Sequence, residues 1–188
     1  VEKKEYFEYL EKRSTLGALY RHWLLYPKLC SLLQGKILDY GCGIGDFLRH
    51  ENNSIGVDIN QYNIDYCNSQ GLNAKLIEPN IIPFKNNSFT SVIMDNVIEH
   101  ISPNNVDDVL YEILRVLKPK GKFLIGIPGI KGYKSDDDHK CFYSEQDLIN
   151  LLEAHNCKNI KSIHAPIPAL WLQNYLSQYC IYVLFEHN

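Results

Sequence analysis

The stretch Asp39-Tyr40-Gly41-Cys42-Gly43-Ile44-Gly45 combines a carboxylate with three alternating glycines. Glycines at 41, 43 and 45 permit a sharp turn and let the backbone approach a ligand more closely than a Cβ would allow. The spacing is not that of the dinucleotide fingerprint, because Asp46 stands where Gly-x-Gly-x-x-Gly needs its last glycine. A carboxylate at position 39 would repel a pyrophosphate but suits a ligand that carries an ammonium group. Asp58, at the end of the next apolar run, is placed to accept hydrogen bonds from ribose hydroxyls. By itself the glycine loop is a tight strand-to-helix turn; with both carboxylates it points to a nucleoside cofactor.

A second group of residues could move protons. Glu99 and His100 follow a predicted strand, and His139 lies in the polar run Lys134-Ser135-Asp136-Asp137-Asp138-His139-Lys140. Histidine titrates near neutrality, so His100 or His139 suits removal of a proton from a weak nucleophile, with Glu99 beside them. The plainer alternatives are a pocket hydrogen bonder or helix cap for His100 and a fold-pinning role for His139. Asp136 or Asp138 could orient His139 or bind a hydroxylated or cationic substrate. Glu99, His100 and His139 could share a divalent ion, but no two have helical i, i+4 spacing and no histidines cluster locally. No metal site is assigned. The histidines at 22, 50, 155, 164 and 187 read as surface or packing residues. The row Trp171, Tyr175 and Tyr179 suits core or dimer packing more than pocket lining.

These residues need a frame. Apolar runs at 36–40, 54–58, 73–77, 90–95, 122–127, 159–164 and 179–186 have strand length. A short helical stretch separates the first two. Asn60 can cap a helix through Gln70 that Gly71 stops. Val106, Val109, Leu110, Ile113, Leu114 and Leu117 recur at helical spacing, and Lys118-Pro119-Lys120-Gly121 ends that helix. Ser144 with Asp147 resembles a capping box for a helix burying Leu148, Leu151 and Leu152. Alternating strands and helices predict an α/β, doubly wound, mostly parallel sheet with helices on both faces. Ahead of it, Tyr6, Tyr9, Leu10, Leu16, Leu19, Tyr20, Trp23 and Leu24 form a helical preface that packs on the sheet and is compatible with a lid over the ligand.

With 188 residues and 45% apolar content, the chain suits one domain. The predicted parts are a helical cap at 1–35, a cofactor-binding core at 36–128, and a substrate loop with C-terminal strands at 129–188. A net charge of −3 without any basic run disfavours a nucleic-acid substrate. No apolar stretch approaches a membrane span, and the start at 1–13 lacks a signal peptide's plan, which predicts a cytoplasmic protein. Six scattered cysteines without zinc-ligand spacing read as reduced, mostly buried thiols.

Several motifs, in one order, carry a resemblance. Ile37-Leu38-Asp39-Tyr40-Gly41-Cys42-Gly43-Ile44-Gly45 resembles motif I of class I, Rossmann-like S-adenosylmethionine-dependent methyltransferases, and Gly56-Val57-Asp58-Ile59 resembles their ribose-binding acidic segment. Pro83-Phe84-Lys85-Asn86-Asn87-Ser88-Phe89, Asn96-Val97-Ile98-Glu99-His100 and Leu114-Arg115-Val116-Leu117-Lys118-Pro119-Lys120-Gly121 are similar to three later elements. The chain departs from the pattern at Glu78, Thr90 and Asn156-Cys157. The resemblance implies a seven-stranded sheet with an antiparallel C-terminal strand. It also implies S-adenosylmethionine as cofactor, with S-adenosylhomocysteine as product. Gly41, Cys42, Gly43 and Gly45 would lie along its methionine part, with Asp39 near the ammonium and Arg21 near the carboxylate. Asp58 would hold the ribose, Ile59 the adenine face, and Glu78 and Pro79 the adenine edge. Asp95 and Asn96 would border the sulfonium. The expected partner is a small-molecule acceptor methylated on oxygen or nitrogen, a carbohydrate or surface-polysaccharide precursor among the candidates, by a monomer or homodimer. Two alternatives stand beside this reading: a cofactor-binding regulatory subunit without transfer, and a nicotinamide-dependent oxidoreductase. The second lacks an evident Tyr-x-x-x-Lys pair and is disfavoured by Asp39 and Asp46.

Overall fold

Seven strands form one sheet: β1 (Ile37–Tyr40), β2 (Ser54–Asp58), β3 (Ala74–Leu76), β4 (Phe89–Asp95), β5 (Leu117–Pro128), β6 (Cys157–Ala165) and β7 (Cys180–His187). Their order is β3-β2-β1-β4-β5-β7-β6 in a computed structural model that describes residues 3–11 and 15–188. β1 to β5 pair in parallel, and β7 runs antiparallel between β5 and β6. The chain progresses outward from β1 to β3, then returns to add β4 on the other side of β1. That reversal leaves a crevice at the carboxyl ends of β1 and β4.

Both sheet faces are covered, which is why the central strands are apolar almost throughout. Leu38, Val92, Met94, Phe123, Ile125, Val183 and Phe185 pack with α5 (Val106–Val116) and α7 (Glu145–Ala154). The alternate residues Ile37, Ile93, Leu124, Tyr182 and Leu184 pack with Leu25, Tyr26 and Leu29 from the N-terminal helices and with Leu33 just beyond them. Those helices are α1 (Lys3–Glu11), α2 (Thr15–Tyr20) and α3 (Tyr26–Cys30), with a π-helical turn at Arg21–Leu25 between the last two. The side chains of Tyr6, Tyr9 and Leu16, part of the predicted preface, lie outside the described residues.

Local rules written in the sequence operate as expected. Asn60 caps α4 (Gln61–Ser69) by accepting the Tyr62 amide at 3.1 Å, and Gly71 follows with φ +73°. Ser144 and Asp147 form a reciprocal capping box on α7. Two expectations change. The stretch between β1 and β2, where a short helix was expected, is a series of turns with one i→i−4 bond from Arg49 to Gly45. Three left-handed glycines occupy its first half, and the remainder is too short to repay helix nucleation. The fifth strand begins at Leu117 rather than 122, because Lys118–Gly121 loop outward within the strand where the register against β4 shifts. Of the six cysteines, all unpaired, Cys42, Cys67 and Cys157 are buried and the other three half-buried.

Two of the motifs are partners in space. The Arg115 guanidinium on α5 donates to the carbonyls of Ile82 (2.9 Å) and Phe84 (2.8 Å) and to Asn86 Oδ1 (2.8 Å), while Glu112 holds it at 2.6 and 2.8 Å. One planar fork thus clamps the loop before β4 onto α5, a geometry an ammonium cannot reproduce. Arg115→Lys is therefore expected to lower unfolding stability by about 1–3 kcal/mol, read from urea titration; an unchanged midpoint would remove the clamp from the list of stabilising contacts. Thr90 also has a fold role, since its hydroxyl donates to Gln34 O at 2.6 Å, at the end of β4 remote from the crevice.

Candidate active site

A cavity of about 890 Å³ opens at the crevice. Arg21, Asp39, Gly41, Cys42, Gly43, Asp58, Ile59, Pro79, Asp95, Asn96, Glu99, His100 and His139 all border it. Gly45 and Glu78 do not. A Cβ on Gly45 would meet Leu72 Cδ1 at 2.5 Å and Cys67 Sγ at 3.0 Å, so this glycine, with φ +80°, serves packing against α4. Glu78 is exposed beside the opening. At Gly41, too, a Cβ would collide with the Val97 side chain. Of the three loop glycines, Gly43 is the one where a Cβ would meet no packed side chain, its nearest neighbour being Leu10 Cδ1 at 3.4 Å, so its bare backbone is not a packing requirement.

One half of the cavity is strongly acidic. Asp39 is 3% exposed, and burial, then Asp95, with Asp58 and Asp46 adding to it, pushes its carboxyl well above the usual carboxylate range. A cationic ligand would offset that repulsion; a pyrophosphate would add to it. Asp58 Oδ2 accepts from the Gly43 amide (2.9 Å) and Asn63 Nδ2 (3.1 Å), and Oδ1 accepts from the Asn60 amide (2.8 Å). Burial nevertheless wins over these donors and raises its pKa. Asp95 lies on the same sheet face as Asp39. It accepts from Tyr182 OH (2.9 Å), Asn96 Nδ2 (2.8 Å) and Tyr26 OH (3.2 Å).

Tyr26 and Tyr182 were not foreseen as site residues. The available signal was Gly126 inside an apolar strand, which marks a close approach. A Cβ there would meet Tyr182 Cε1 at 2.5 Å and Asp95 Oδ1 at 2.7 Å, so the glycine makes room for their bond.

The N-terminal helices contribute as both packing and roof. Lys3 Nζ donates to Ile59 O (2.7 Å), and Asn60 Nδ2 donates to Lys3 O (2.7 Å), fastening α1 over the end of β2. At the π-helical turn the Tyr26 amide reaches back to Arg21 O, and Arg21 and Tyr26 both border the cavity. Arg21 Nε stands 3.5 Å from the Asp46 carboxylate.

In the other half, Glu99 and His100 occupy a 3-10 turn (Ile98–His100) after β4, and His139 comes from the loop beyond α6 (Ile130–Tyr133). That loop is strapped to the turn by the amides of Lys140 (2.7 Å) and Cys141 (3.2 Å), which donate to Glu99 O. His139 Nδ1 lies 2.7 Å from Tyr133 O and therefore carries its proton, leaving Nε2 directed at Glu99 Oε1, 3.8 Å away. The His100 and His139 rings are 4.6 Å apart, and His100 Nδ1 is 3.5 Å from the Asp138 carboxylate. Burial pushes Glu99 up to about 8, and holds His100 below its ordinary value. Ligand atoms of Glu99, His100 and His139 all fall within 4.8 Å of one another. Linear spacing had argued against such a cluster; two loops after neighbouring strands bring it together.

Trp171 and Tyr175 are both 65% exposed, whereas Tyr179 is buried and hydrogen-bonds His164 at 2.9 Å. The aromatic row is thus split between surface and core. No helix among the described residues is long and apolar enough to cross a membrane.

Comparison with known proteins agrees with this architecture. The family described as methyltransferase domain matches residues 38–125. The uncharacterized protein MJ1123 of Methanocaldococcus jannaschii is 30% identical over 161 residues, covering 80% of this chain and 73% of the relative. A second protein of that organism, MJ0638, is 39% identical over 93 residues; there the match spans 47% of this chain and 39% of the relative's length. Among solved structures, a SAM-dependent methyltransferase from Thermotoga maritima, a possible histamine N-methyltransferase, superposes with a TM-score of 0.79. It covers 99% of both chains at 17% identity, a likeness of fold.

Proposed function

Because this chain belongs to the class I S-adenosylmethionine-dependent methyltransferases, we propose that it methylates an oxygen or nitrogen of a small polar acceptor, with carbohydrate hydroxyls the class best matched to its acceptor loop. The observation that carries the reading is a single cavity with an acidic, glycine-lined half and a Glu99/His100/His139 half. Its volume, near the top of the roughly 300–1,000 Å³ typical of ligand pockets, suits a nucleoside cosubstrate together with a compact acceptor.

S-adenosylmethionine, when bound, supplies a methyl group already activated on a sulfonium. The chain's own work is to hold and orient. Asp39 would pair with the ammonium, Arg21 with the carboxylate, and Gly43 would let the backbone pass close to the methionine part. Asp58, which borders the cavity beside its contacts to Gly43, Asn60 and Asn63, would take a ribose hydroxyl; Ile59 and Pro79 would cover the adenine. Asp95, loaded by the Tyr26 and Tyr182 hydroxyls, and Asn96 would border the sulfonium. An acceptor in the second half would lie against His100 and His139, either of which could take its proton. Asp136 and Asp138 give that half hydrogen-bond acceptors for hydroxyls. The absence of a basic run among the residues and the acidic lining support a small acceptor over a polyanion.

Calorimetric titration tests the cofactor assignment: S-adenosylmethionine and S-adenosylhomocysteine should bind and NAD should not, and failure of both sulfur nucleosides would overturn it. For the proton acceptor, His100→Ala and His139→Ala are each expected to lower turnover roughly tenfold, since each can partly cover for the other, with cofactor affinity changed less than about twofold. Wild-type turnover in both variants on a transferred acceptor would end that assignment.

A further inference from the structure

We propose that Glu99, His100 and His139 bind one first-row divalent transition-metal ion in the wall of the acceptor half of the cavity. An imidazole that holds the ion has no nitrogen left to take an acceptor's proton, so an occupied site replaces the proton-acceptor role given to His100 and His139 above; the test does not depend on turnover.

The strongest observation is Glu99 itself. Its carboxylate is 1% exposed, and no group beyond the residue's own backbone hydrogen-bonds either oxygen. A buried carboxylate in that condition is costly, and native proteins rarely tolerate one that nothing compensates. The neighbouring imidazole does not resolve this, because 3.8 Å from His139 Nε2 to Glu99 Oε1 is too long for a hydrogen bond. A cation between them would satisfy both.

The histidines are oriented for that task. His139 gives its Nδ1 proton to Tyr133 O, which commits Nε2 to the cluster. His100 has its Nδ1 against the Asp138 carboxylate. An imidazole backed by a carbonyl or a carboxylate on its far nitrogen is the usual support of a metal-binding histidine. The turn and the loop that carry the three groups are joined through the Glu99 carbonyl, so the cluster does not depend on a floppy segment to assemble.

Two imidazoles and one carboxylate select zinc, iron, cobalt or manganese over magnesium or calcium. Bond lengths near 2.0–2.2 Å put tetrahedral ligand atoms roughly 3.4 Å apart. The 4.8 Å envelope seen here would have to contract by about 1.5 Å, within reach of small side-chain rotations. All three residues border the cavity, so positions not filled by protein would face an acceptor's oxygens.

The test uses the full chain after chelator treatment, titrated with Co2+ and followed by visible absorption and calorimetry. One equivalent should bind, with a ligand-field spectrum and a raised melting temperature. Glu99→Gln and His139→Asn should each weaken Co2+ binding at least about 100-fold, and Asp138→Asn about tenfold through His100. His164→Gln, remote and paired with Glu145, should leave it unchanged. S-adenosylhomocysteine affinity, measured on every variant, shows that the variant is folded. If the wild type takes up no Co2+, or if Glu99→Gln and His139→Asn bind it as the wild type does, the site is refuted. Loss of nucleoside binding by the wild type would instead refute the cofactor reading and leave the metal result standing.

Discussion

Asparagine at position 39 is expected to make the cofactor-free protein more stable and the cofactor-binding protein worse. Asp39 sits almost fully buried at the end of β1, and its ionisation is opposed by burial and by the nearby Asp95, Asp58 and Asp46 carboxylates. A neutral isostere removes that opposition, so Asp39→Asn should gain on the order of 1 kcal/mol, or about 3 °C in Tm. The sign follows from linkage: a carboxyl whose folded pKa is raised favours the folded state fully below its unfolded value, and that contribution is lost as pH rises towards the folded value. The gap between variant and wild type should therefore close below about pH 4 and open above it. Binding moves the other way. Losing a buried partner of an ammonium should weaken S-adenosylmethionine by about 2–3 kcal/mol, roughly 30- to 150-fold. Wild-type affinity should rise with pH as Asp39 loses its proton, with proton release visible in calorimetry across buffers of different ionisation enthalpy; the variant should show neither. A destabilised variant with intact affinity would mean that Asp39 is a structural residue.

This opposition of stability and binding also shows what could be read from the chain alone. Asn60, Gly71, Ser144 and Asp147 act within a few residues of themselves, so their caps were visible as local patterns. The doubly wound sheet was legible for a similar reason, because apolar runs with helical segments between them have few ways to bury both sheet faces. Residues whose meaning depends on a distant partner were harder. Arg115 belongs to a recognisable motif, yet nothing near it announces Ile82 and Phe84 as its acceptors. Tyr26 and Tyr182 meet Asp95 from an N-terminal helix and the last strand, separated from it by 69 and 87 positions. Gly126 was the one local trace of that meeting. Glu99, His100 and His139 were each singled out, but their mutual geometry belongs to two loops that meet only when β4 and β5 pair. The glycine loop divided differently. All three glycines have positive φ, yet Gly41 and Gly45 are also required by packing against Val97, Leu72 and Cys67, whereas at Gly43 a Cβ would meet no packed neighbour and would intrude on the cavity instead.

Asp58→Ala should contrast with the change at position 39 by damaging both properties at once. Although burial raises the pKa of Asp58 as well, its carboxylate holds together the loop, the α4 cap and the cofactor half of the cavity through Gly43, Asn60 and Asn63. Alanine leaves three donors in or near the interior without their acceptor. An orphaned buried donor costs about 1–3 kcal/mol, and water entering the vacated space would recover part of the sum. A net loss of about 2–4 kcal/mol is expected, which for a chain of this size lowers Tm by about 5–15 °C. The Gly43 amide, which this bond occupies in a residue at φ +51°, should lose hydrogen-exchange protection before the amides of β1 do. Cofactor affinity should fall by about 100-fold, because the ribose acceptor and the shape of the loop go together. The decisive comparison is with adenosine, which lacks the amino-acid part. Asp58→Ala should weaken it strongly and Asp39→Asn hardly at all, since Asp39 would face only the ammonium. Equal effects of the two substitutions on adenosine would contradict the division of the cavity into a ribose end at β2 and an amino-acid end at β1.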